Sequence, residues 1–227
     1  MFCARCKKFQ TTLTQDWVDI NKLNNINDKI QRIDCKLCKN FIAIINDNKV
    51  VNIDEKFNGC TENSWKKVIN VQDKIIYYIL SQIIYRESDT PRQDKFESIY
   101  DYADDKDEIF LKWFDSKPVG FYTIKPKGTE IDRINEYSMT TLDTAYIRSQ
   151  YRNQGLGSEI IYDIIKRYPN EDIGFSIPIS YGMLRILNKF LIKHREYRRS
   201  FWEIQNGGNE GSVKLIWFIL RNQLQNS

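Results

Sequence analysis

The segment from Leu142 to Gly157 constrains this chain more than any other, because it reads as a strand, a glycine-bearing turn and a helix start in immediate succession. Leu142 to Ile147 is rich in β-formers, and Arg152-Asn153-Gln154-Gly155-Leu156-Gly157 has nothing to alternate. Ile160, Ile161, Ile164 and Ile165 then recur at helical spacing, which predicts a helix from near Ser158. The first N–H groups of such a helix have no intrahelical acceptors and stand at the positive end of the helix dipole. Gly155 and Gly157 carry no Cβ, so an anion could reach that backbone, and a pyrophosphate would suit the place.

Two nucleotide-binding patterns fail here. A P-loop needs Gly-Lys-Ser/Thr, and the chain has Gly157-Ser158-Glu159; a dinucleotide fingerprint needs a third glycine where Ile160 stands. With Tyr151 and a hydrophobic strand before it, the Arg152-x-x-Gly155-x-Gly157 pattern resembles motif A of the GNAT superfamily of N-acetyltransferases. The resemblance implies that the turn holds the pyrophosphate of acetyl-CoA. The residues it designates are Ala145, Tyr146 and Ile147 at the strand end, then Arg152, Asn153, Gln154, Gly155, Leu156, Gly157 and Ser158.

The 227 residues suffice for one large domain with an appendage, and a formal net charge of +4 is too mild to argue for nucleic acid. No apolar run is long enough to span a bilayer and the first residues do not open a signal peptide, so the expectation is an intracellular protein, in nucleus or cytoplasm. There, cysteines are thiols or metal ligands rather than disulfides. Cys3-x-x-Cys6 and Cys35-x-x-Cys38 are two knuckle-type pairs, and four thiolates would close a structural Zn²⁺ site with no open position for chemistry. The alternative is scattered cysteines in an irregular arm, with Cys60 as a fifth.

Residues 1–60 are accordingly expected to be an arm with this Cys₄ site, a short helix near Trp17 to Ile30, and a hairpin of Phe41–Ile45 with Val50–Ile53. A long helix is expected from Thr61 to about Glu87, with Trp65, Val68 and Ile69 in its buried stripe and Thr61 or Asn63 as cap. Asp101 to Glu108 reads as a solvated acidic loop, with attraction of a basic substrate as the functional alternative. A hairpin of 109–114 with 119–124 follows, then the motif strand from Glu136 to Ile147, the motif helix, a strand at 173–177, a helix from Ser180 to Lys193, and strands at 201–204 and 213–220. This is the GNAT order, and it predicts a mixed α/β sheet over residues 61–227.

Three further segments, Ile75 to Arg86, Val119 to Gly128 and Leu142-Asp143-Thr144, resemble the soluble lamin-associated protein family, an acetyltransferase-like branch. That resemblance runs from Trp65 to Glu203 and implies nuclear association without an established reaction. The wider superfamily implies a ternary complex and a carboxylate base. Asp143, on a mostly apolar strand and sharing a face with Thr141, Ala145 and Ile147 if the strand is regular, is the candidate, with a structural acid as its other reading. Glu136, nearer the strand's start, is the second candidate. The family's thiolate-protonating tyrosine would fall near Leu187, which cannot donate, and Tyr181 is the substitute. His194 reads as a solvated helix end. Two classes stay open: an acetyl-CoA-dependent N-acetyltransferase acting on a protein or small-molecule amine, and a catalytically silent module of the same fold that docks a protein partner through its arm. Nucleic-acid binding through the arm and Lys193 to Arg199 is a third, unsupported by charge.

Overall fold

The protein is described by a computed structural model covering residues 2–3, 8–9, 18–54, 63–209 and 211–225. Strands β1 (Phe2–Cys3) and β2 (Lys8–Phe9) pair antiparallel. Strands β3 (Val18–Lys22), β4 (Ile30–Cys35), β5 (Phe41–Asn46) and β6 (Lys49–Val50) form an antiparallel meander. The short helix expected between Trp17 and Ile30 is absent among the described residues. Leu23 N–H donates to the Ile30 carbonyl at 3.0 Å, closing a hairpin whose buried Leu23 and Ile26 only mimic helical spacing.

The main sheet has seven strands in the order β13-β12-β11-β10-β9-β8-β7. They are β7 (Trp65–Lys67), β8 (Glu108–Phe114), β9 (Lys117–Lys125), β10 (Thr140–Ile147), β11 (Ile173–Ser176), β12 (Phe201–Ile204) and β13 (Val213–Leu215). Pairs β10/β11 and β11/β12 are parallel and the rest antiparallel. Helices α1 (Val71–Tyr78), α2 (Leu156–Arg167), α3 (Tyr181–Lys193) and α4 (Ile216–Gln225) cover it, and α1 runs on as a π-helical segment, Ile79–Ser88.

Two expected boundaries are corrected. Trp65 lies in a strand, opposite Lys112, and the helix starts only after Asn70, whose side chain accepts from Asp73 N–H at 2.8 Å. Ile69, expected in the buried stripe, is 80% exposed. The run expected as a strand to Leu220 leaves β13 at Leu215 and becomes α4, with Ile216 and Leu220 buried four apart and Phe218 outside. A short apolar run fits either element, and packing chose between them.

One face of the sheet packs on α2, α3 and α4 through Phe110, Tyr122, Ile124, Leu142, Ile161 and Leu187. The other face joins Leu111, Trp113, Phe121 and Tyr146 to Ile75, Ile76, Leu80 and Ile83 of the α1 layer. Leu23, Ile26, Ile30, Ile44 and Ile53 of the arm belong to that same buried cluster, and Arg32 bonds Tyr78 Oη at 3.3 Å and Glu87 at 3.0 Å. Each such side chain contributes roughly 1.5–3 kcal/mol when buried. Deleting residues 1–54 is therefore expected to leave a fragment that binds hydrophobic dye and melts well below the full chain. A fragment melting cooperatively at the full-chain temperature would show the arm to be dispensable. Among the described residues, no helix is long and apolar enough to cross a membrane.

Candidate functional site

Strand β10 is irregular where the site needs it. Its register against β9 runs from Leu142↔Ile124 to Thr144↔Thr123, which makes Asp143 the extra residue of a β-bulge. The alternation expected from a regular strand is thus broken: Ala145 and Ile147 pack toward the α2 side, whereas Asp143 and Thr144 both border a cavity beside the α1 layer. On its other edge β10 pairs with β11 only over Thr140 to Leu142, although it continues to Ile147. From Asp143 onward that edge has no partner strand among the described residues.

The cavity measures about 280 Å³ and is lined by Asp143, Thr144, Thr123, Lys125, Tyr77 and the loop from Tyr100 to Asp107. Asp143 Oδ1 accepts from Ser176 Oγ at 2.8 Å, and no hydrogen bond among the described residues reaches Oδ2. Lys125 Nζ lies 2.9 Å from both oxygens of Asp107 and 3.0 Å from Asp104. Burial opposes its charge, but these two carboxylates raise the ammonium's pKa above its ordinary value. Burial also pushes the Asp107 carboxyl up, despite Lys125 beside it. The hydroxyls of Thr123 and Thr144 bond each other at 2.6 Å, which satisfies them inside the sheet. The acidic loop is thus not wholly solvated, since the Asp107 side chain is 2% exposed.

The glycine turn follows β10 through a single 3₁₀ turn at Ser149–Tyr151. Gly155 has φ +85° and caps α2, and no atom lies within 4 Å of where its Cβ would stand, so the turn faces open space. Among the described residues nothing accepts from the N–H groups of Gly155, Leu156 and Gly157, while Ser158 N–H is taken by the Gly155 carbonyl at 2.9 Å. Gly157 also lies close to α3: a Cβ there would stand 2.7 Å from Ile186 Cδ1, the end of a side chain that would have to shift. Arg152 Nε donates to the Ile147 carbonyl at 2.9 Å, and its Nη1 stands 4.0 Å from Glu97. Asp89 braces the turn, accepting from Tyr146 Oη at 2.5 Å and from Ser149 N–H and Oγ at 2.7 Å. Burial works against its charge, yet those bonds hold its carboxyl below the usual range. Asn153 adopts φ +63°, and Gln154 is exposed beside it.

Of the other expected residues, Glu136 is exposed in the loop before β10 and Tyr181 opens α3 with its ring 5.0 Å from Phe96; neither lines the cavity. Leu187 is wholly buried in the core. His194 meets Tyr162 Oη at 3.1 Å and Glu196 at 3.3 Å at the surface. Arg198, in the basic run, stacks on Trp217 at 3.8 Å. Cys35 ends β4 and Cys38 lies in the following turn, where Lys39 N–H donates to the Cys35 carbonyl at 2.7 Å and Asn40 Nδ2 to Cys38 Sγ at 2.9 Å. Cys6, Cys60 and the side chain of Cys3 lie outside the described residues, so the Cys₄ expectation does too. Among the described residues no group of three or more His, Cys, Asp or Glu side chains is placed to hold a metal. Sequence reasoning missed Ser176, Thr123, Lys125 and Asp89, whose relation to the motif is purely spatial.

Residues 75–177, from the first buried turn of α1 to the end of β11, match the acetyltransferase (GNAT) family. The fold is of the GNAT type. The chain is 28% identical over 162 residues to Protein FAM169B of Mus musculus, covering 69% of this chain and 48% of that protein. It is 27% identical over 120 residues to Protein FAM169BP of Homo sapiens, covering 52% of this chain and 62% of that one. The chain thus spans less than two thirds of either relative, about half of the first, and their names do not bear on the lamin-associated resemblance. A solution NMR structure of YhhK from E. coli bound to coenzyme A is 14% identical, with TM-score 0.38, covering 66% of this chain and 94% of that chain. The GNAT match includes the bulge at Asp143 and the turn at Gly155 and excludes the cysteine arm.

Proposed function

We propose that the chain is an acetyl-CoA-dependent N-acetyltransferase whose acceptor amine enters the cavity beside Asp143. One observation carries this reading: Asp143 at the cavity begins the stretch of β10 that pairs with no strand on its β11 side among the described residues, and the turn with the N–H groups of Gly155 to Gly157 follows that stretch. The amides of a pantetheine arm suit such an edge as an added strand would, and the pyrophosphate suits the α2 start. The amine would lose a proton to Asp143 Oδ2, directly or through water, and attack the thioester carbonyl. The C–N bond forms, the C–S bond breaks, and the thiolate leaves to be protonated by solvent, because Tyr181 lies outside the cavity. Asp101, Asp104, Asp107 and Asp143 against the single Lys125 favour a cationic acceptor, a lysine side chain or a small polyamine. Intracellular residence, in nucleus or cytoplasm, is part of this proposal.

The test is an acetyl-CoA titration followed by a thiol-release assay with amine acceptors. Binding with acceptor-dependent thiol release supports the transferase. Binding without release supports the silent module, which Leu187 favours by filling the donor position with core. Absence of binding overturns both.

The arm's Zn²⁺ is proposed separately, on the cysteine spacing and on the Cys35–Cys38 turn with its amide-to-sulfur bond. Elemental analysis of protein purified without chelator is expected to give one zinc per chain, lost in Cys35→Ser. Metal-free wild-type protein would dismiss the site.

A further inference from the structure

We infer that Ser176 is a positioning residue for Asp143, aiming its second carboxylate oxygen into the acceptor cavity. The inference rests on the reading of Asp143 as the base. Ser176 is the last residue of β11, one position past Phe175, the last β11 residue that pairs with β10. Asp143 is likewise the first residue of β10 past its pairing with β11, and it sits in the bulge. The two side chains therefore meet at the fork where the strands part, with Ser176 Oγ donating to Asp143 Oδ1 at 2.8 Å.

A bulge residue lacks the ladder geometry that normally orients a strand side chain, so its direction must come from elsewhere. A hydroxyl donating to one carboxylate oxygen supplies it: with Oδ1 held, Oδ2 is the oxygen left for an amine or its bridging water. The groups around Asp143 do not perform this task. Lys125 of β9 is engaged by Asp104 and Asp107, although its charge acts on Asp143 from a distance. Tyr77 of α1, Tyr100 and Asp101 of the acidic loop, and Tyr137 of the loop before β10 make no hydrogen bond to Asp143. Ser176 is the sole hydrogen-bond donor to Asp143 among the described residues.

The experiment compares Ser176→Ala, Ser176→Thr, Asp143→Asn and the double variant Ser176→Ala/Asp143→Asn in the thiol-release assay. Ser176→Ala is expected to lower kcat roughly 10- to 100-fold, the cost of one hydrogen bond to a charged group, with CoA affinity unchanged. Ser176→Thr, which keeps the hydroxyl, should recover most of the rate. In the Asp143→Asn background, Ser176→Ala should cost almost nothing more, because residues acting as one unit are non-additive. A Ser176→Ala enzyme with wild-type rate, beside an Asp143→Asn enzyme that is impaired, overturns this inference alone. So does full additivity in the double variant, or a threonine variant no better than alanine. An unimpaired Asp143→Asn enzyme overturns the base reading itself.

Discussion

Asp143→Asn is expected to lower kcat by about 10²-fold while leaving the affinity for CoA within about twofold of wild type. The amide keeps the shape of the carboxylate, can still accept from Ser176 Oγ, and sits at the bulge rather than at the glycine turn. What it loses is the capacity to take a proton from the amine. A 10²-fold loss corresponds to about 2.7 kcal/mol of barrier, within the range of one positioned general base. The deficit should shrink as pH rises, because more of the acceptor amine is then free without help. A structural brace would behave otherwise: melting temperature, affinity and rate would fall together at every pH. Rate–pH profiles, calorimetry with CoA and a thermal melt separate the two, and a variant indistinguishable from wild type in all three would remove Asp143 from both roles.

Gly155→Glu is expected to abolish CoA binding to the limit of calorimetric detection. The physical reason is not a clash within the protein, since nothing lies within 4 Å of the new Cβ. Gly155 has φ +85°, a left-handed conformation that costs a side-chain-bearing residue roughly 1 kcal/mol or more. The added carboxylate would then occupy the open space beside the N–H groups of Gly155 to Gly157 and repel a pyrophosphate there. Gly155→Ala separates the contributions. It carries the strain without the charge, so it should weaken binding less than the glutamate. Equal CoA affinity for Gly155→Glu and wild type would remove the turn from the site.

The elements legible in the sequence share a local cause. The β8–β9 hairpin follows from two short apolar runs of β-formers around the turn at Asp115 and Ser116, both at positive φ. The span of α3 follows from Ser180, whose hydroxyl accepts from Met183 N–H at 3.3 Å. The turn after β10 follows from Gly155, because few residues tolerate its backbone. Each depends on residues within a few positions of one another, so spacing and residue type suffice.

Tertiary structure decided the rest. Trp65 resembles a helix residue until β8 offers Lys112 as its strand neighbour, and Ile216 to Leu220 resembles a strand until burial at four-residue spacing makes it α4. Ile186, twenty-nine positions away in the chain, packs close to Gly157, and Lys125 pairs with Asp107. The docking of the arm on α1 depends on Ile30 and Ile44 joining a core begun by Ile75 and Ile76. The sequence alone determined the strand, turn and helix that can present backbone N–H groups to an anion. Only the packed sheet decided that β10 bulges at Asp143, that β11 parts from it there, and that Ser176 meets Asp143 at the fork. Those contacts join residues far apart in the chain, and no local pattern encodes them.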